Sequence, residues 1–380
     1  MKIAIDARWI FDEISGVGTY TIELIRALSH LDRDNDYLLL FRSHHVRDRT
    51  AEATQFNAAP NVQAKQIPYG PFSIRNQWQL PSFLREHEID VYHSPNYMIP
   101  FRGFPGRRTG LTKCVTTIHD VIPLLFPDHA PKSKKSRLFP LYKRIMHEVG
   151  ARSDMILTVS ECSQRDLIDQ LELPPEREDS IQTIYNGVNP QYRPSLDDPV
   201  DGPPVILYVG RSDPYKNLLC LIDGFHALRQ SGVDARLRII GPTDPRYPEP
   251  RQRVTELGLD PWVDSAGYVS DAALLRAYQD ASVFVLPSRY EGFGLPVLEA
   301  MACGTPVVCS NASALPEVAG EAALLFDPSE ADDLAEALRK VLTDPDCARD
   351  LRQKGLDRAG KFTWQKTFEQ TLAVYESLAG

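Results

Sequence analysis

The sequence predicts an α/β protein built from two doubly wound, Rossmann-like domains, and three observations predict it. Short apolar runs of strand length alternate with helical patterns along nearly the whole chain, as in parallel sheets covered on both faces. The alternation breaks once, at Pro190–Pro204, where five prolines and three aspartates leave little apolar content. At 380 residues the chain is long enough for two cores of ordinary size.

Taken in order, Lys2–Ala7 reads as a buried strand. A loop holding Gly16-Val17-Gly18 follows, then a helix from about Thr19 to Leu31, in which Ile22, Ile25, Arg26 and Ser29 keep helical spacing and Leu24, Ala27, Leu28 and Leu31 broaden the apolar face. Gly16-x-Gly18 falls short of a dinucleotide fingerprint, because its third glycine would lie at Thr21. What remains is a loop able to bring backbone close to a ligand. Strands are then expected at Tyr37–Phe41, Val62–Ile67, Val91–Ser94, Cys114–His119, Met155–Ser160 and Ile181–Tyr185, with helices near Ile74–Glu88 and from Glu161.

After the proline-rich segment a second set begins. Strands are expected at Val205–Val209, Arg236–Ile240, near Val263, at Val283–Leu286, at Val307-Val308 and at Ala323–Phe326. Helices are expected at Asn217–Gln230, near Pro250–Leu257 and at Asp271–Gln279. Ser329 with Asp332 three residues on suggests a capping box opening another helix. Trp364, Phe368, Leu372 and Tyr375 keep helical spacing in a last, docked helix. The expected division is an N-terminal domain at 1–189, a linker at 190–204, a C-terminal domain at 205–360 and a terminal helix at 361–380. Ligands of such folds sit at the carboxyl ends of the strands, here in a cleft between facing domains.

Composition narrows the function. An apolar content of 43% and a charged content of 24% are those of a soluble globular protein. A net charge of −9 argues against nucleic acid as a partner. No apolar run approaches the roughly 20 residues of a membrane span. The six cysteines show no Cys-x-x-Cys pair and no histidine cluster accompanies them, which predicts a reducing compartment and no structural zinc. Met1 opens directly into a strand, so no signal peptide is expected and the location predicted is cytoplasmic.

Two stretches carry chemistry. The first is Ser288–Ala300, which leaves a strand through a glycine-rich turn and restarts as a helix, with Pro296 suited to the first helical turn. Backbone amides at Gly292, Phe293, Gly294 and Leu295, with the positive end of the helix dipole, form a ready phosphate site. Glu291 and Glu299 bracket the turn. Glu299 suits the cis-diol of a ribose, and Glu291 a second hydroxylated group. The second stretch is Gly210–Asn217, again between strand and helix, where Arg211 and Lys216 can hold a diphosphate and stabilise its departure without a metal. His119 ends a strand, where a lone histidine is more often a structural hydrogen-bonder than a catalyst.

The Glu291–Glu299 spacing, with Met301–Val308 and Leu315–Gly320, resembles retaining glycosyltransferases of family 4, which have the GT-B fold. The likeness is dense from about Val205 to Pro328 and thinner before it. It implies a nucleoside-diphosphate sugar as donor, no cofactor beyond that co-substrate, and a saccharide acceptor, free or lipid-linked. Arg211 and Lys216 match the family's phosphate-binding pair. By the same resemblance Gly16, Val17 and Gly18 lie beside the diphosphate and the acceptor. His119 reaches the donor sugar, and backbone at Gly241, Tyr268 and Val269 meets the nucleobase. The N-terminal half is similar to mannosyltransferases of bacterial polysaccharide assembly, implying GDP-mannose. A UDP-sugar-dependent transferase, an epimerase and a non-catalytic sugar-nucleotide sensor are the alternatives.

Acceptor contacts are expected from loops such as Pro95–Pro105. Lys132, Lys134, Lys135, Arg137, Lys143 and Arg144 form a basic run interleaved with apolar residues. It reads either as a solvated helix face or as a surface for anionic lipid at the inner face of the membrane, with Pro140 interrupting it.

Overall fold

The computed structural model describes residues 1–12, 15–105, 112–126, 139–196 and 202–379. These form two compact units. The first takes in the described residues within 1–124, 139–187 and 363–379, and the second those within 125–126 and 188–362.

The first unit is built on seven strands: β1 (Lys2–Ile5), β2 (Asp36–Phe41), β3 (Val62–Gln66), β4 (Val91–Ser94), β5 (Lys113–Ile118), β6 (Met155–Thr158) and β7 (Ile181–Thr183). All pair in parallel, in the order β3-β2-β1-β4-β5-β6-β7. The order reverses between β1 and β4, and this topological switch point opens a crevice at the carboxyl edge.

The second unit has six parallel strands: β8 (Val205–Val209), β9 (Arg236–Ile240), β10 (Val263–Gly267), β11 (Val283–Leu286), β12 (Val307–Ser310) and β13 (Ala323–Phe326). Their order is β10-β9-β8-β11-β12-β13, with the switch point between β8 and β11. Every residue of β11 is buried, as expected of a central strand covered on both faces.

The helix Trp364–Ala379 closes the first unit. Trp364, Phe368, Val374 and Tyr375 join Tyr20, Leu24 and Leu28 in its core. The chain crosses Gly187 at close range: a Cβ there would stand 2.1 Å from the Trp364 nitrogen, so only glycine fits. The Thr367 hydroxyl donates to the Tyr185 carbonyl at 2.7 Å, fastening the helix beyond β7.

Several local expectations are corrected. Gly16-Val17-Gly18 is the first turn of the helix Gly16–Leu31 and not a loop, because Ser15 caps it by accepting from the Gly18 amide at 3.3 Å. Ile74–Glu88 divides into a 3₁₀ turn, Ile74–Gln77, and a helix, Gln79–Glu86. β1 stops at Ile5, since the Asp6 side chain starts a 3₁₀ turn at Ala7–Trp9, and β6 stops at Thr158, since Ser160 is the cap of the helix Glu161–Leu171. No capping box forms at Ser329: its amide donates to Asp327, and the helix Ala331–Thr343 starts after Glu330 without a side-chain cap. Pro140 does not interrupt a helix. It lies in the first turn of Phe139–Arg152, where a missing N–H costs nothing.

Candidate functional site

The loops leaving β8 and β11 meet at the switch point of the second unit. The β8 loop turns through Pro214–Lys216 and reaches Asn217 in the left-handed region at φ 61°. Asparagine tolerates that conformation better than most residues. Its side-chain amide donates to the Pro287 carbonyl at 3.0 Å and to the Pro328 carbonyl at 2.8 Å, locking the loop to the end of β11. Lys216 is thereby placed against Glu291, donating to its two carboxylate oxygens at 2.7 and 2.9 Å. Both side chains are largely buried, at 15% and 11% exposure. The Ser288 hydroxyl donates to the same carboxylate at 2.6 Å, and the Glu291 amide donates to Ser313 Oγ at 2.8 Å.

Arg211, of the same loop, is 57% exposed and pairs through Nε with Asp213 at 2.8 Å. It is the exposed member of the cation pair, while Lys216 is the fixed one.

The helix Leu295–Ala302 follows Gly294, which sits at φ 109° and offers no side-chain cap. Pro296 occupies the first turn, where its missing N–H costs nothing, no side chain caps this helix start, and the Val297 amide donates to the Gly294 carbonyl at 2.9 Å. Glu299 lies one turn further on. The Tyr278 hydroxyl donates to its Oε2 at 2.8 Å. Tyr192 supplies a second hydrogen bond, and the rings of Tyr192 and Tyr278 meet edge to face at 5.6 Å. Burial pushes the Glu299 carboxyl up to about 7, against the pull of these two phenols.

Beside this cluster Gly241, at φ 150°, presses on the β8 loop: a Cβ would stand 1.8 Å from the Gly210 carbonyl oxygen. Gly210, Gly241 and Gly267 line a cavity of about 630 Å³ together with Thr243, Asp244 and Arg251. A second cavity, of about 490 Å³, is bounded by Ser212, Asn217, Asp223, Arg289 and Ser329. Of the residues expected near a base, Gly241 lines the larger cavity. Tyr268 is well exposed and Val269 half-buried, and neither is among the residues lining the two cavities.

In the first unit His119 follows β5 on the carboxyl edge. Its Nε2 lies 3.1 Å from the Pro95 carbonyl oxygen, which can only accept, so Nε2 carries the hydrogen and Nδ1 is unprotonated. Burial holds the imidazole below its ordinary value, and Tyr20 packs edge-on at 4.9 Å. This is a neutral histidine ready to accept a hydrogen bond. Gly16–Gly18 follow β1 on the same edge.

In the basic run, Lys132, Lys134, Lys135 and Arg137 lie outside the described residues, and Lys143 pairs with Glu172 at 3.5 Å. Sequence reasoning missed Asn217, Ser288, Ser313, Tyr192 and Tyr278 as partners of the site. An asparagine just after a strand–turn was the one local signal available.

Among the described residues no group of three or more His, Cys, Asp or Glu is arranged to hold a metal ion. No helix among them is long and apolar enough to cross a membrane.

Two parallel doubly wound units with polar loops at their switch points are the architecture of GT-B glycosyltransferases. A sucrose-phosphate synthase from Thermosynechococcus elongatus superposes with a TM-score of 0.76 at 22% identity, covering 99% of this chain and 98% of that one. Anabaena HepE in complex with UDP and glucose gives 0.75 at 20%, covering 99% and 100%. Residues 14–192 match Glycosyltransferase Family 4, and residues 197–358 match Glycosyl transferases group 1. The chain belongs to this family of glycosyltransferase enzymes. Among its relatives, O-antigen chain mannosyltransferase B of Escherichia coli is 29% identical over the full length of both chains. MMP alpha-(1->4)-mannosyltransferase of Mycolicibacterium hassiacum is 35% identical over 62% of this chain and 56% of its own length.

Proposed function

We propose that the protein is a retaining hexosyltransferase that moves mannose from GDP-mannose to a sugar hydroxyl of a growing glycan, free or lipid-linked. The observation that carries this reading is the Lys216–Glu291–Ser288 cluster beside an uncapped helix start, with Glu299 one turn away. Mannosyl transfer is supported by the names of the two relatives. Retention is supported by the resemblance of the Glu291–Glu299 stretch.

In this reading the diphosphate lies over the amides of Gly292–Leu295, and Lys216 and Arg211 meet the charge that grows on it. The bond between the sugar's anomeric carbon and the phosphate oxygen breaks, and the acceptor oxygen bonds to the same face of that carbon. The acceptor's proton passes to the departing phosphate oxygen. Protein groups then serve by position and electrostatics. Glu299 holds the ribose, Glu291 steers the sugar, His119 takes a hydrogen bond from it, and Gly241 with Tyr268-Val269 borders the base. Gly16–Gly18 serve the diphosphate and acceptor through the amides of a helix start. Six free thiols support a cytoplasmic setting.

The test is a panel of nucleotide sugars assayed for released nucleoside diphosphate, with and without α-linked manno-oligosaccharide, and for the anomeric configuration of the product. GDP-mannose consumed with retention is expected. Release only from UDP-sugars replaces the donor, conversion of the donor without acceptor indicates an epimerase, and binding without turnover indicates a sensor.

A further inference from the structure

The 3₁₀ turn Ile74–Gln77 and the helix Gln79–Glu86 present an apolar and cationic surface that the transfer chemistry leaves unused. Phe72, Ile74 and Trp78 are 59%, 74% and 50% exposed, although each would gain by burial. Arg75, Arg85 and Arg102 are exposed around them. The surface is continuous: Arg102 stacks on the Trp78 ring at 3.9 Å, Ser82 donates to the Trp78 carbonyl at 3.4 Å, and Arg85 donates to Ser82 at 3.1 Å. Elsewhere arginines such as Arg26, Arg152 and Arg253 pair with carboxylates. Among the described residues no carboxylate pairs with Arg75, Arg85 or Arg102. No Asp or Glu occurs from Ile67 to Arg85 or from Val91 to His119, in a chain of net charge −9. The acids between these runs are Glu86, Glu88 and Asp90; Glu86 is exposed at the last position of the helix and Glu88 pairs with Lys2.

We propose that this surface docks the protein on an anionic lipid bilayer. Exposed tryptophan, phenylalanine and isoleucine suit the boundary between headgroups and acyl chains, and unpaired arginines suit anionic headgroups. Its position agrees with that occupant. Phe72 packs against Trp9 at 5.6 Å and Tyr97 at 6.0 Å, residues that follow β1 and β4 at the switch point of the first unit. The surface therefore borders the place where a lipid-borne acceptor would enter. A second copy of the chain fits less well, because a two-fold contact would face arginines with arginines.

Co-sedimentation with vesicles tests this, and the readout does not depend on the donor assignment. Vesicles of phosphatidylcholine with about a third phosphatidylglycerol should bind the protein, and pure phosphatidylcholine vesicles should bind it far less. Each of Arg75→Gln, Arg85→Gln and Arg102→Gln should weaken partitioning about fivefold, and raised salt should act in the same direction. Phe72→Ser with Ile74→Ser should weaken it by about tenfold or more, with an unchanged melting temperature showing that the fold survives. Leu219→Ser, on the second unit, should change nothing. Equal binding to both vesicle types, no binding, or full binding by the patch variants overturns the proposal. So does a patch variant that alters only the oligomeric state or only the KM for a soluble oligosaccharide, which would assign the surface to a second copy or to the acceptor.

Discussion

Lys216 Nζ stands 2.7 and 2.9 Å from the two oxygens of Glu291, joining the loop after β8 to the loop after β11 in a largely buried ion pair. The pair is structural as well as electrostatic. Because the site lies on loops, the sequence alone predicts that Lys216→Ala lowers turnover far more than it weakens folding. The geometry adds a cost to folding, since removing the ammonium leaves a nearly buried carboxylate with Ser288 as its side-chain donor.

Lys216→Ala should therefore lower kcat by about 10²–10³-fold and also cost about 1–3 kcal/mol of stability. Lys216→Met combined with Glu291→Gln removes both charges, and should recover most of the stability with none of the turnover. Thermal melts and nucleoside-diphosphate release measure the two separately. An unchanged kcat in Lys216→Ala would take the residue out of the reaction.

The sheets were legible because buried parallel strands are nearly continuous apolar runs. Val91–Ser94, Val205–Val209, Arg236–Ile240, Val283–Leu286 and Ala323–Phe326 are read to the residue. The Glu291–Glu299 stretch was legible because glycine, proline and carboxylates crowd one turn. The partners were not. Tyr278 reaches Glu299 across 21 positions and Tyr375 reaches His93 across 282, and no local pattern encodes such contacts. Gly16–Gly18 was misread as a loop because two glycines outweighed the Ser15 cap that starts the helix.

Gly241 tests the close approach of two strand ends. Its φ is 150°, and a Cβ at this position would lie only 1.8 Å from the Gly210 oxygen, which leaves no room for a methyl group. Gly241→Ala should cost about 3 kcal/mol or more and raise the donor's KM by displacing the β8 loop. Gly258→Ala, where φ is 66° but nothing lies within 4 Å, should cost only about 1 kcal/mol. Urea titrations of the two variants should separate clash from backbone strain. Equal losses would mean that the contact at Gly210 relaxes freely.

His93 links the terminal helix to the first sheet. Its Nδ1 lies 2.5 Å from the Tyr375 hydroxyl and its Nε2 2.7 Å from Thr117 Oγ1. Burial lowers its pKa from 6.5 to about 3, so the folded state holds the ring neutral. The unfolded chain binds the proton more readily, so this contribution is complete above about pH 6.5 and is lost as pH falls toward 3. Tyr375→Phe leaves a buried ring nitrogen without its partner and should cost about 1–3 kcal/mol. His93→Gln should flatten stability between pH 6 and pH 4, read by denaturant midpoints, relative to the parent. Parallel pH curves for the two proteins would show that the imidazole does not govern acid sensitivity.

On the proposed function, Glu299 should make donor binding pH-dependent as well. Its carboxyl is pushed from 4.5 up to about 7 by burial, so near neutrality the ligand-free site is partly protonated. A ribose diol donates hydrogen bonds and needs the ionised carboxylate as acceptor. The donor's KM should therefore fall as pH rises through about 7, and Glu299→Gln should remove that dependence. For stability the sign is reversed: the folded state binds the proton more tightly, so stability falls as pH climbs from 4.5 to about 7. Tyr278→Phe deletes a hydrogen bond that favours the ionised form, and so should move the KM transition to higher pH while kcat holds. A fall in kcat with an unmoved transition would mean that Tyr278 serves the reacting sugar and that Glu299 does not hold the ribose.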